Sequence, residues 1–118
     1  LTGDTMYPGR IYINMADHTI FTASVDRLVN FAQTRIITHV LGTHIEQCGP
    51  YVDYPVGTTF AADEDRLQLT LGQLLELQQA AHDLGDDGKI VQRAFSTFSI
   101  CGTYPQCDPL LPDGRPRG

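Results

Sequence analysis

The stretch "RIITHVLGTHIE", Arg35 to Glu46, decides how this chain is read. Its first part, Arg35 to Gly42, is an apolar run rich in β-branched residues, which predicts a buried strand. Gly42 ends the run. A glycine there lets the backbone turn sharply and re-aim the next side chains, Thr43, His44 and Glu46. The same logic recurs at the start of the chain in "LTGDTMYPG", residues 1 to 9. Leu1 reads as the end of a buried strand, Gly3 and Asp4 as a tight turn, and Tyr7 to Gly9 as a second turn. A carboxylate and an imidazole, each following glycine at a strand end, converge on one rim if their strands are neighbours. That pair suits zinc or a similar divalent ion.

Between these two stretches, "RIYINM" at Arg10 to Met15 alternates as a half-buried strand does. A helix is predicted from Thr22, with Thr22 or Ser24 as cap and Val25, Leu28, Val29 and Ala32 on one face. His39 falls within the Arg35–Gly42 strand as a packed or edge-facing residue, and His18 lies in a loop after the first strand. Gln47 to Arg66 forms a long loop rich in Gly, Pro, Tyr and Asp, of the length that usually serves a function. A second helix begins near Thr70, where Thr70 and Gln73 form a capping box. Leu71, Leu74, Leu75, Ala81 and Leu84 supply its apolar face, His82 lies within it, and Gly85 ends it. "GDDGK" then turns the chain, and Ile90 to Ile100 holds one or two strands. The order strand, helix, strand, loop, helix, strand predicts an α/β or layered α+β fold. With so few strands, at least one sheet edge is bare and open to pairing with another chain.

Composition narrows the function. Of 118 residues, 42% are hydrophobic and 19% charged, as in globular domains. Eight basic and fourteen acidic side chains leave a net charge of −6, and Lys89 is the single lysine. Binding to a nucleic-acid backbone is not expected. No apolar run approaches the roughly 20 residues of a membrane span. The three cysteines, Cys48, Cys101 and Cys107, match neither a zinc knuckle nor a disulfide scaffold, though Cys101 and Cys107 could pair across a short loop. The compartment stays open. Ser24, Ser96 and Ser99 sit in no nucleophile elbow, and no phosphate loop or calcium-loop ligand series is present.

"LTGDTMYPGRIY", followed some 35 residues later by "THVLGTHIE", resembles the second half of a metallo-β-lactamase-fold hydrolase. The resemblance covers about residues 1 to 100. It implies half of an αββα sandwich, with residues 1–103 as a C-terminal half-domain and 104–118 as a proline-rich tail. It also implies that Asp4 is the aspartate bridging two zinc ions and that His44 binds the second ion. Glu46 and Thr43 are candidates for supporting the histidine. Tyr7, Tyr51 and Tyr54 would then be substrate-binding, with Asp53 and Thr58 beside them on the loop. The family's His-x-His-x-Asp-His motif, which precedes the Gly-Asp turn, is missing from this sequence. Asp4 and His44 are two ligands where catalytic zinc takes about three. The expectation is therefore a fragment or truncated form of a metal-dependent hydrolase acting on a small molecule. It would be inactive alone, its site completed by the missing half or by a second chain in a homo-oligomer. The alternative is a non-catalytic oligomeric interaction module derived from the same fold.

Overall fold

The computed structural model describes residues 1–13, 15–55, 57–62, 64, 66–83 and 93–101. They form a mixed α/β fold of two helices and several short strands. Strand β1 is Gly9–Tyr12, helix α1 His18–Gln33, β2 Val40–Leu41, β3 Gln47–Gly49 and β4 Val52–Asp53. β5, Gln68–Leu69, leads into α2, Leu71–Asp83, and then come β6, Arg93–Ala94, and β7, Phe98–Cys101. β7 lies between β1, to which it runs parallel, and β6, to which it is antiparallel. β2 pairs with β5 and β3 with β4, both antiparallel.

The core gathers Ile11 and Ile13 beside β7's Phe98 and Ile100, Val25, Val29 and Ala32 from α1, and Leu74, Leu77 and Ala80 from α2. Burying these side chains supplies the main driving force, at about 25 cal/mol per Å² of apolar surface removed from water. The capping box predicted at Thr70 forms in both directions. The Thr70 amide donates to Gln73 Oε1 at 2.8 Å, and the Gln73 amide donates to Thr70 Oγ1 at 3.2 Å. The helices pack on each other, tied by Gln78 and His82, whose side-chain nitrogens lie 2.9 and 2.8 Å from Asp26 Oδ1. Those two bonds, the one from Gln78 foremost, hold the Asp26 carboxyl below its usual pKa range.

Several expectations are corrected. Helix α1 starts at His18, four residues before Thr22. A 3₁₀ turn at Met15–Asp17 leads into it, and its N-cap, Asp17, makes no side-chain capping bond. On α2, Leu75 is exposed while Leu77 and Ala80 are buried, so the inward face is rotated from the predicted one. The predicted strand Arg35–Gly42 contracts to Val40–Leu41, because among the described residues only these two find a ladder partner, in β5, while Gly42 makes a single bridge to Gly3. Ile36 is 96% exposed, and His39 is exposed outside the strand with Nδ1 3.2 Å from Thr38 Oγ1. Leu1 is not a buried strand end but is 97% exposed. Part of the long loop is the β3–β4 hairpin, whose turn residue Tyr51 adopts φ 61°. Leu84, Gly85, "GDDGK", Ile90 to Gln92 and the tail from Gly102 lie outside the described residues.

Cys101 is disulfide-bonded and Cys48 is free, while Cys107 lies outside the described residues. Among the described residues, no helix is long and apolar enough to cross a membrane.

Candidate functional site

Gly3 and Gly42 form an isolated parallel bridge, which brings the two turns side by side. The Thr2 amide donates to Leu41 O at 2.7 Å, and the Thr43 amide donates to Gly3 O at 3.1 Å. Gly3 takes φ +59°, the left-handed conformation that glycine adopts without a Cβ penalty. At Gly42 a Cβ would press into the carbonyl oxygen of Met6 and lie 3.0 Å from Tyr7 Cβ. The absence of that one carbon lets the Met6–Tyr7 segment pass beneath the turn.

Asp4 and His44 therefore stand on one rim. Thr43 Oγ1 donates to Asp4 Oδ1 at 2.8 Å, so the residue next to His44 holds the carboxylate. His44 Nε2 lies 2.9 Å from Glu46 Oε1, and the His44 ring meets Tyr7 edge-on at 4.9 Å and 80°. Glu46 is the partner expected for His44, whereas Thr43 serves Asp4 instead. Arg10 enters from β1: its Nε lies 2.9 Å from Glu46 Oε2, its amide 3.3 Å from the same oxygen, and its Nη2 donates to Tyr54 O at 2.6 Å. The Tyr7 hydroxyl donates to Arg10 O. Burial raises the Tyr7 phenol well above its ordinary pKa, and the charges of Glu46 and Asp4 add to the rise.

No family model, curated protein or solved structure matches the chain.

An open cleft of about 470 Å³ adjoins the rim, lined by Thr43, His44, Thr58, Thr59, Glu64 and Leu67. Of the predicted substrate-binding tyrosines, Tyr7 is buried beneath His44 rather than facing this cleft. Tyr54 offers its backbone carbonyl to Arg10, and Tyr51 stands exposed at the hairpin turn with its amide bonded to Ser96 O. Neither tyrosine lines the cleft. Thr58, named from the loop, does. His18 and His82 belong to the helix pair: His18 Nε2 lies 2.7 Å from Ala81 O, and His82 pairs with Asp26.

The donor chemistry of Asp4 and His44 fits a divalent metal. Both side chains are exposed, and among the described residues Asp4 Oδ2 and His44 Nδ1 make no hydrogen bond. Their number is short of a coordination sphere, and no group of three or more His, Cys, Asp or Glu among the described residues is placed to hold a metal. Sequence reasoning missed Arg10, Thr59 and Glu64. Arg10 sits 36 residues from Glu46, and no local pattern signals a pairing at that separation.

Proposed function

We propose that this chain supplies Asp4 and His44 to the dinuclear zinc site of a metal-dependent hydrolase of the metallo-β-lactamase type, the remaining ligands coming from another segment or chain. The observation that supports the reading is the Gly3–Gly42 bridge, which brings the Asp4 and His44 turns side by side, with His44 lining an open cleft and Asp4 outside its lining. When bound, the ions supply an activated water as nucleophile and polarise the substrate's carbonyl or phosphoryl oxygen. Asp4 offers Oδ2 while Thr43 holds Oδ1, and His44 offers an imidazole lone pair. Thr58, Thr59 and Glu64 present hydroxyls and a carboxylate to a small-molecule substrate in the cleft.

Zinc measured in the protein reconstituted with the segment or chain that supplies the remaining ligands tests the proposal. Wild type is expected to retain zinc, and Asp4→Ala and His44→Ala each to abolish retention. Equal occupancy in wild type and both variants would sink the assignment.

A second reading, an oligomeric module without catalysis, is favoured by the exposure of Leu1 and Ile36, both above nine-tenths. A metal-free dimer without hydrolase activity would support it over the first.

A further inference from the structure

We infer that the groove between the N-terminal segment and helix α1 binds a small carboxylate with an apolar body, its charged end on Arg27 and its hydrocarbon against Leu28 and Phe31; this goes beyond the zinc reading and does not depend on it. The groove measures about 390 Å³, within the range of small-molecule sites. Ser24, Arg27, Leu28 and Phe31 recur at i, i+3, i+4 and i+7, so they share one face of α1, beside the inward face of Val25, Val29 and Ala32. Leu1, Thr2 and Thr5 form the facing wall. That wall is fixed by its own bonds. The Thr2 amide donates to Leu41 O at 2.7 Å, the Thr5 amide donates to Thr2 O at 3.2 Å, and Thr2 Oγ1 donates to Met6 O at 3.0 Å.

The ligand class follows from charge and from which polar groups have no partner. Arg27 is the one charged side chain lining the groove, on a chain of net charge −6. Among the described residues, its guanidinium and the hydroxyls of Thr5 and Ser24 make no hydrogen bond or ion pair. Arg10, by contrast, is committed to Glu46. Arg35 lies over the Phe31 ring, 3.9 Å from its centroid, and adds positive charge beside the groove. A guanidinium without a partner matches a carboxylate in planar, two-bond geometry, and the two hydroxyls supply further donors. Phe31 is 54% exposed, so apolar surface remains for a ligand to cover. The cleft beside His44 has a different character. Glu64 lines it and, among the described residues, no Lys or Arg does, so without metal that cleft does not favour an anion.

The test is a titration of the full chain with hexanoate at neutral pH, without added metal, followed by amide ¹H–¹⁵N shifts. Hexanol and hexylammonium serve as the neutral and cationic probes of equal length. Saturable shifts are expected at Thr2, Thr5, Ser24 and Phe31 with hexanoate, weaker binding with hexanol, and none with hexylammonium. Arg27→Gln should weaken hexanoate binding by about 10–100-fold, the loss expected for hydrogen bonds to a charged group, and leave hexanol binding unchanged. Arg27 is exposed, so the variant should fold. Added salt should weaken the binding of hexanoate and not that of hexanol. The inference is overturned by hexanoate that produces no saturable shift at the groove, by equal hexanoate affinity in wild type and Arg27→Gln, or by a preference for hexylammonium. Shifts of these amides that follow protein concentration instead of ligand would also overturn it, and would make a second copy of the chain the occupant.

Discussion

Among the described residues two pairs of segments run parallel, and they are held by different physics. β1 and β7 match four residues to four, from Gly9 opposite Phe98 to Tyr12 opposite Cys101, and their inward side chains are buried. The Gly3–Gly42 contact is a single bridge held by backbone hydrogen bonds and by glycine sterics, with an exposed carboxylate and imidazole on its outer side. The first pairing belongs to the hydrophobic core. The second trades apolar burial for unengaged donor atoms on a rim, and its precision comes from the Thr43 and Glu46 bonds. The apolar core and the exposed polar rim thus lie in separate places, so a change in one should be distinguishable from a change in the other.

The largest effect should come from the core. Phe98→Ala removes a fully buried ring stacked on Phe95 at 4.7 Å. It should lower the unfolding free energy by about 3–5 kcal/mol in a urea titration, because the lost transfer energy is joined by a cavity term. The rim should be lost only together with the whole fold. A loss smaller than about 1 kcal/mol would mean that β7 is not the central strand of the core.

Gly42→Ala should cost less and act locally. The added methyl meets backbone, the Met6 carbonyl, which cannot swing aside as a flexible side chain can. Overpacking of this kind costs about 1–3 kcal/mol. Amide resonances of Thr2, Asp4, Thr43 and His44 should shift while those of Ile11 and Ile100 hold. Shifts spread evenly over both regions would erase the distinction between them.

How far each region can be read from sequence follows the same division. Helix α2 was legible because its start is written within four residues, Thr70 to Gln73, and its bonds are local. Helix α1 was legible in its buried face but not in its start, since Asp17 caps without a side-chain bond. Arg35 to His39 misled because β-branched residues signal fitness for a sheet, not the presence of a partner strand, and β5 pairs only with Val40 and Leu41. At the rim, Asp4 and His44 could be singled out by their glycine turns. The clamp behind them could not: Arg10 reads as the outward side of an alternating strand, and its pairing with Glu46 exists only once the fold has joined distant segments.

The smallest expected effect concerns Tyr7, which lies beneath the rim and belongs to the core by burial. Its folded-state pKa is raised above the ordinary value of 10.0, first by burial and then by the charges of Glu46 and Asp4. The neutral phenol is the form the folded chain favours. That contribution is therefore fully present below pH 10.0 and is lost as pH rises from there toward the raised value, because the unfolded chain releases the proton first. Tyr7→Phe removes the titrating group. It also removes the bond to Arg10 O, at a cost of about 0.5–1.5 kcal/mol at neutral pH. The variant should start less stable than wild type and then lose less stability with rising alkalinity, so the two urea-denaturation curves converge above pH 10.0. Parallel curves would place the Tyr7 hydroxyl in water and separate the rim from the core beneath it. Convergence would mean that burial, with the charges of Glu46 and Asp4 adding to it, holds the phenol neutral, and that the two regions, though held by different forces, meet at this one side chain.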